Sequence, residues 1–204
     1  MPDRRPYHHG NLREALIEAA IGLIAENGPR GFSLAEAARR AGVSPAAPYR
    51  HFKGRDDLLE EIARRGFDEF ADAMKAAWDD GRPNPLAAFG RMGQCYLDFA
   101  RERPAFYVAM FESDITMSDN VALWEASERG FGMLIHAAEE LSAPLPKDRR
   151  PPARMFANHI WALSHGVVEL FARGKPGVRS PISAEDMLNS GVLIYLRGLG
   201  LIGD

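Results

Sequence analysis

Cysteine is almost missing from this sequence, which has a single one, Cys95, among 204 residues. No disulfide can therefore form within the chain, and a disulfide-stapled secreted scaffold is excluded. The sequence also lacks any run of about 18 uncharged apolar residues, which a membrane-spanning helix requires. The first residues, Met1 to Arg5, are not followed by the apolar stretch of a signal peptide. We expect a soluble, cytoplasmic protein without a membrane partner.

Catalytic signatures are missing as well. No Glu is followed by His three residues later, as di-metal helical bundles require, and the sequence has neither a glycine-rich phosphate loop nor a Gly-x-Ser-x-Gly elbow. Cys95 lies in an apolar helical context, where an inert thiol is the default. We predict no catalytic residue, no metal ligand and no cofactor.

Alternating strand patterns are absent, and apolar residues recur at helical spacing through most of the chain. Asn11, Ser33, Ser44 and Ser183 provide capping signals, and glycine or proline stands between the periodic segments. The pattern predicts an all-α fold of about nine helices, near residues 12–27, 33–41, 44–52, 55–80, 86–102, 104–113, 119–142, 152–173 and 184–201. We place a compact three-helix bundle at residues 1–55 and a larger helical body at residues 56–204.

Charge is distributed unevenly along the chain. Residues 1–55 carry nine Lys or Arg and five Asp or Glu, a net charge of +4, whereas the whole chain carries −3. The remaining residues therefore carry −7. A basic first quarter on an acidic body places the expected nucleic-acid surface at the N-terminus, although a chance imbalance would look the same.

The segment from Ser33 to Phe52 predicts a helix-turn-helix. Two short helices are separated by Ala41-Gly42-Val43-Ser44, a turn of the length and glycine content found in DNA-reading helix pairs. Small residues at the front of the second helix allow its backbone to enter the major groove. Tyr49, His51 and Lys53 follow as donors to phosphate oxygens.

Residues 10–60 resemble the TetR family of bacterial regulators. The match includes the run from Gly31 to Ser44, then Ala47, Tyr49 and His51-Phe52-Lys53, then Asp57-Leu58-Leu59. The resemblance implies that Tyr49, His51 and Lys53 contact the DNA backbone and that base edges are met at Pro45, Ala46, Ala47 and Arg50. We add Ser33 and Ser44, which cap the two helices, to the expected DNA contacts.

Two features of this quarter are a proline in the recognition helix and a basic N-terminal arm. Pro48 stands where the family usually has Leu, Ile or Val, and it removes an amide near the start of the recognition helix. The arm that contains Arg4 and Arg5 resembles arms that follow the DNA backbone or enter the minor groove. A disordered terminus is the equally weighted alternative.

The body of the chain is rich in aromatic residues and methionine, which suits a pocket for an apolar or aromatic ligand. The expected pocket residues are Phe89, Met92, Tyr96, Phe99, Tyr107, Met110, Phe111, Trp124, Phe131 and His159. Taken singly, each is more typical of a plain core; as a group, together with the family resemblance, they indicate a pocket. Residues 159–168 resemble the Trp…His-Gly signature of one TetR C-terminal subclass. The expected dimer interface is built by the last two helices through Trp161, Gly166, Leu170, Leu188, Val192, Tyr195 and Leu196.

These patterns predict a homodimeric transcription regulator, a repressor that a small apolar or aromatic effector releases from a palindromic operator in double-stranded DNA. On DNA it would be nucleoid-associated. A DNA-binding regulator or architectural protein without a small-molecule ligand is the alternative. An all-α enzyme is the third and least favoured hypothesis.

Overall fold

The computed structural model describes residues 12–117, 120–173 and 181–203. Within these ranges the chain is helical and contains no strand. The eight α-helices are α1 (Leu12–Asn27), α2 (Leu34–Arg40), α3 (Arg55–Trp78), α4 (Pro85–Glu102), α5 (Pro104–Phe111), α6 (Val121–Ser142), α7 (Ala153–Val167) and α8 (Ala184–Gly198). The all-α prediction is confirmed. One of the nine expected helices, the third in chain order near residues 44–52, is instead a short 3-10 segment at Ala47–Arg50.

Local capping chemistry accounts for several helix boundaries. The side chain of Asn84 accepts a hydrogen bond from the backbone N–H of Ala87, and Pro85 takes the first helical position of α4, where no amide is needed. Ser183 caps α8 in the same way through the N–H of Asp186. Asn11, the predicted cap of α1, lies outside the described residues.

Packing divides the chain into two units, each with its own core. The first unit contains the described residues up to Gly66 together with Pro104–Leu123, and the second contains Phe67–Arg103 and the described residues from Trp124 onward. The division falls within α3, after Gly66. It concerns packing, and the functional boundary predicted after residue 55 stays a prediction.

The first unit is built on α1, which packs against both α2 and α5. Its core is apolar and almost fully buried, because one stripe of α1 and the first turns of α3 face inward. The largest fully buried side chains in it are Leu16, Ile17, Ile24, Leu58, Leu59, Ile62, Tyr107 and Leu123.

The second unit contains α4, α7 and α8, with the later part of α3 and most of α6. Contacts join α4 to α8 and to α7, and α7 to α8. The α7 helix continues into a π-helical turn at Val168–Ala172, a helix type that occurs mostly as single turns. The fully buried side chains of the second unit include Phe156, Met92, Leu97 and Leu196.

Candidate functional site

The predicted helix pair begins at α2 with a reciprocal capping box. The Ser33 hydroxyl accepts a hydrogen bond from the Glu36 backbone N–H at 3.2 Å, and the Glu36 carboxylate accepts one from the Ser33 N–H at 2.8 Å. Two N–H groups that the helix cannot satisfy internally are thereby bonded. The start of α2 is fixed as the sequence predicts.

A tight turn follows α2. Gly42 takes a φ of +74°, in the left-handed region that side chains with a Cβ rarely adopt. Its N–H donates to the Arg39 carbonyl at 3.1 Å, and the Val43 N–H donates to the Ala38 carbonyl at 3.0 Å. These bonds satisfy the last carbonyls of α2 and redirect the chain toward the recognition segment, defined here as Ser44–Lys53.

The recognition segment is shorter and tighter than expected. We predicted about two turns of helix capped by Ser44. The structure instead has the 3-10 segment Ala47–Arg50, whose N-cap residue is Ala46 and makes no side-chain capping hydrogen bond. The reason is Pro48, which has no N–H to donate to the Ser44 carbonyl four residues earlier. That carbonyl accepts from the Ala47 N–H at 3.0 Å instead, which tightens the turn.

Two buried side chains anchor the recognition segment and leave the rest exposed. Pro48 is buried, and Phe52 is only 3% exposed. Tyr49 is 64% exposed, a high value for an aromatic side chain. The other exposed residues of the segment are Ser44, Pro45, Ala46, Arg50, His51 and Lys53, whereas Ala47 is half-buried. The structure therefore presents eight of the predicted contacts on one short stretch of chain.

The cations of this region fall into two groups. Arg40 is held by the Glu26 carboxylate and Arg30 by Asp114, in each case through two hydrogen bonds. Arg39, Arg50 and Lys53, by contrast, are exposed and make no ion pair with any residue that the structure describes. Arg39 was not predicted as a contact. Its position in the last turn of α2, beside the glycine turn, is the signal that could have identified it.

An ion network joins α1 to α3 beneath the recognition segment. Arg65 holds both oxygens of Glu14, at 2.6 and 2.7 Å, and its Nε lies 2.8 Å from Glu61. Glu61 also accepts hydrogen bonds from Arg64 at 3.0 Å and from Arg13 at 3.2 Å. Three guanidinium groups therefore share one carboxylate.

This network shifts the ionisation of Glu61. Partial burial opposes the charge on its carboxylate, but the hydrogen bonds from Arg64, Arg65 and Arg13 outweigh burial and lower its pKa to about 2. The pKa of Glu14 is also lowered, chiefly by its hydrogen bond to Arg65. Both carboxylates are thus charged at neutral pH and fix α3 to α1.

The predicted arm cannot be placed, because Arg4 and Arg5 lie outside the described residues. Their DNA contacts stay predictions.

A cavity of about 40 Å³ lies inside the second unit. Its walls come from α3, α4, α6, α7 and α8, and none of the lining side chains is charged. The lining residues are Met74, Phe89, Gly90, Met92, Gly93, Tyr96, Leu134, Ile160, Trp161, Ser164, Leu188, Asn189 and Val192. Phe89, Met92 and Tyr96 are the three predicted pocket residues that the structure brings together there.

The other expected pocket residues lie elsewhere. Tyr107, Met110 and Phe111 belong to α5 in the first unit, where Met110 packs against Gly66. Phe99 is buried edge-to-face on Phe70. The remaining three are not among the lining residues. Trp124 is 48% exposed, and exposed His159 shares a hydrogen bond with Tyr195. Phe131 lies beneath Arg154, with its ring edge-to-face near the lining residue Trp161.

Polar side chains of α4 and α7 meet at the cavity wall. The Tyr96 hydroxyl lies 3.1 Å from Nδ1 of His165, and the His165 ring is tilted against Trp161 with centroids 5.6 Å apart. Ser164, next along α7, is 4% exposed and lines the same cavity. The Trp…His-Gly segment noted in the sequence thus supplies part of this wall.

The residues expected at a dimer interface divide into two sets. Leu188 and Leu196 are buried in the core of the chain itself, at 2% and 0% exposure, and so have no surface to offer a partner. Leu170, at 73%, is exposed, and a Cβ on Gly166 would meet nothing within 4 Å. Trp161 is 38% exposed, and Val192 and Tyr195 are half-buried. Leu193 and Ile194, on the outer face of α8, are exposed apolar residues that were not predicted.

Features that would support other chemistry are not found in the described ranges. They contain no cluster of His, Cys, Asp or Glu able to hold a metal ion, and no helix long and apolar enough to cross a membrane. Burial, with the nearby charges of Asp98 and Glu102, raises the pKa of the Cys95 thiol to about 11. The thiol is therefore protonated and weakly nucleophilic at neutral pH.

Comparison with known families gives two matches. Residues 16–62 match the family described as "Bacterial regulatory proteins, tetR family", and residues 89–193 match the "Tetracyclin repressor-like, C-terminal domain". The second match alone covers half of the chain.

Individual proteins are similar as well. The BetI regulator of Brucella canis is 32% identical over 192 residues, which cover 91% of this chain and 92% of that protein. YobS of Bacillus subtilis, named an uncharacterized HTH-type transcriptional regulator, is 31% identical over 104 residues. That match covers 49% of this chain and about half, 51%, of YobS. A solved structure of a protein with unknown function from Rhodococcus sp. RHA1 superposes with a TM-score of 0.80 at 27% identity, covering 96% of this chain and 98% of the other.

The matched families consist of regulatory proteins, and the two named relatives are transcriptional regulators. The chain therefore belongs to the TetR family of bacterial transcriptional regulators, as the resemblance at the helix-turn-helix predicts.

Proposed function

We propose that this protein is a homodimeric repressor that binds a palindromic operator through the recognition segment and that a small, predominantly apolar molecule releases it. In this proposal residues 1–55 form the DNA-binding domain and residues 56–204 the ligand-binding and dimerisation domain. The proposal rests chiefly on the recognition segment. There Pro48 and Phe52 are buried, while Tyr49, Arg50, His51 and Lys53 are exposed.

The roles within the segment follow from side-chain chemistry. Tyr49, His51 and Lys53 donate to phosphate oxygens, which position the protein without reading sequence. Arg50 is the long side chain able to make a bidentate contact to guanine, the commonest specific contact in the major groove. The small residues Pro45, Ala46 and Ala47 allow close approach to base edges, and Ser33, Ser44, Arg4 and Arg5 add backbone contacts.

Dimerisation is supported by the exposed apolar surface of the last helices. Leu170, Leu193 and Ile194 are between 41% and 73% exposed, and apolar side chains exposed together are typical of a surface that a partner covers. Trp161, Val192 and Tyr195 are the half-exposed candidates beside them. A homodimer with two-fold symmetry presents two recognition segments, so the operator should be an approximate palindrome.

Release by a ligand is supported by the cavity and by α3. The α3 helix contributes Met74 to the cavity lining and Glu61, Arg64 and Arg65 to the ion network with α1. A ligand that favours one position of α3 therefore acts on the helix that anchors α1. Coupling of about 1–3 kcal/mol changes DNA affinity roughly 5- to 150-fold.

The test starts by selecting binding sites from a random double-stranded DNA library. We expect a recovered site with two-fold symmetry and half-sites about 34–36 Å apart, or a multiple of this distance. Sedimentation of the complex should show two protein chains for each site. Recovery of no preferred sequence would support the architectural alternative and contradict the proposal.

The ligand part is tested on the same complex by fluorescence anisotropy with a panel of small compounds. A releasing compound must bind more weakly in the presence of operator, by the factor by which it weakens DNA binding, because coupling is reciprocal. A compound that occupies the protein with equal affinity in both cases is not the effector.

A further inference from the structure

The cavity of the second unit has a distinct chemical character. Its polar lining side chains are Tyr96, Trp161, Ser164 and Asn189, and all of them are uncharged. Ser164 and Tyr96 are buried, at 4% and 5% exposure, so they lie at the inner wall. Gly90 and Asn189 line the cavity but are exposed, which places its mouth between α4 and α8.

We propose that this cavity takes an uncharged aliphatic molecule whose single hydroxyl or carbonyl group faces Ser164 and Tyr96. Its volume of about 40 Å³, at roughly 10–15 Å³ for each water-sized group, suits a molecule of about three or four non-hydrogen atoms. The inference rests on the proposed function, in that it names the class of effector. A charged group at the inner wall would lose its water without gaining a charged partner, which is far more costly than burying a hydroxyl that finds a hydrogen bond.

The polar end is assigned by hydrogen-bonding capacity. A serine or tyrosine hydroxyl can donate one hydrogen bond and accept others, so it can meet either a hydroxyl or a carbonyl group. The rest of the lining includes buried apolar side chains, among them Phe89, Met92 and Leu188. An aliphatic chain fits against these side chains.

The size follows from the volume. A cavity of about 40 Å³ is far below the roughly 150 Å³ of a protein cavity known to hold benzene. An aromatic effector therefore requires the wall to move. Met74 and Met92 are the flexible lining side chains through which a somewhat larger aliphatic guest is accommodated.

The main experiment uses protein with ¹³C-labelled methionine methyl groups and three probes of matched size: propan-1-ol, acetate and propylammonium. Met74 and Met92 line the cavity, while Met110 lies in the first unit and Met155 is 52% exposed, so these two serve as internal references. Propan-1-ol should shift the Met74 and Met92 resonances saturably. The two ions should bind at least roughly tenfold more weakly. Equal binding of either ion, or no saturable shift with propan-1-ol, would overturn the proposal.

Ser164→Ala tests the polar end, with Ser190→Ala as the matched control, since Ser190 is exposed on α8 outside the lining. Loss of one hydrogen bond should weaken propan-1-ol binding roughly two- to tenfold in Ser164→Ala, and the control should bind as the unmodified protein does. Unchanged affinity in Ser164→Ala would contradict the assigned orientation.

Gly90→Leu tests the mouth. A Cβ at Gly90 meets nothing within 4 Å, so the longer side chain can cover the opening without displacing the core. Gly132→Leu on α6 is the control, because a Cβ there also meets nothing and Gly132 is outside the lining. Propan-1-ol should bind more weakly or exchange more slowly in Gly90→Leu alone. Identical behaviour of both variants would refute this entrance. The titrations of unmodified protein with the neutral and charged probes do not depend on whether a variant folds.

The titrations contain no DNA, so they separate the two proposals. If propan-1-ol binds selectively but no uncharged compound releases operator, the assigned ligand class holds and release by a ligand fails. If an ion binds as well as the alcohol, the ligand class fails and release can still be tested.

Discussion

Replacing Glu61 by Gln removes the charge at the centre of the network between α1 and α3 while keeping the size of the side chain. Glu61 is 12% exposed at its side chain and accepts hydrogen bonds from Arg13, Arg64 and Arg65. In Glu61→Gln the three guanidinium groups lose a shared anion. The variant should fold less stably at neutral pH, with the loss confined to conditions in which Glu61 of the unmodified protein is ionised.

The magnitude follows from the pKa. The carboxyl of Glu61 falls from an ordinary pKa of 4.5 to about 2 in the folded chain, and one pKa unit corresponds to about 1.4 kcal/mol. The charged form therefore stabilises the fold by up to about 3 kcal/mol. Because the folded pKa is depressed, this contribution is fully present above about pH 4.5 and is lost as the pH falls toward 2.

Urea unfolding followed by far-ultraviolet circular dichroism measures the effect, at one fixed protein concentration because dimerisation contributes to stability. Glu18→Gln is the matched control, since Glu18 is an exposed residue of α1 without an ion pair among the described residues. Glu61→Gln should lose about 2–3 kcal/mol at about pH 7 and only about 1 kcal/mol at about pH 3, where part of the contribution is already lost. A loss that is the same at both pH values, or no larger than that of the control, would refute the reasoning.

Three further variants test the DNA contacts and the dimer. Lys53→Ala should weaken binding to every sequence alike and reduce the salt dependence by about one unit of slope, as read from anisotropy at several salt concentrations. Arg50→Ala should instead cost roughly 1–3 kcal/mol at one operator position in a panel of single-base variants, and an equal loss at all positions would assign it to phosphate. Gly166→Leu should sediment as a monomer while Gly132→Leu stays a dimer, because a Cβ at either glycine meets nothing within 4 Å of its own chain. A dimeric Gly166→Leu would remove Gly166 from the interface.

Helix boundaries were predictable because their causes are local. The capping box of Ser33 and Glu36, the Ser183 cap and the turn at Gly42 each depend on residues within a few positions of one another. Such signals are complete in a short stretch of sequence. The ion pairs that lock α1 to α3 cannot be recognised in a short stretch of sequence, because Glu14 and Arg65 are 51 positions apart.

The cavity could be predicted only in part for the same reason. Phe89, Met92 and Tyr96 share one face of α4, and their periodicity marks them as inward-facing. Met74, Leu134 and Asn189 come from three other helices, and only the tertiary packing brings them together. The aromatic residues of α5 look equivalent in sequence, yet they serve the core of the first unit. Composition identified the kind of residue without showing which core each one fills.

At the recognition segment, the local backbone structure depends most directly on Pro48. Its buried ring fills the place where the family usually has an aliphatic side chain, but its missing N–H leaves the Ser44 carbonyl to Ala47 and produces the 3-10 turn. Pro48→Leu restores that N–H and permits an α-helical turn, which winds by about 100° for each residue instead of about 120°. Arg50, two positions on, would then be rotated by roughly 40° relative to the anchoring side chain.

We expect the Pro48→Leu variant to fold, to keep its affinity for a scrambled duplex, and to lose roughly tenfold in affinity for the selected operator, in line with one lost base contact. Anisotropy with the two duplexes measures both affinities. Equal affinity of Pro48→Leu and unmodified protein for the operator would show that the 3-10 geometry does not set which bases are read.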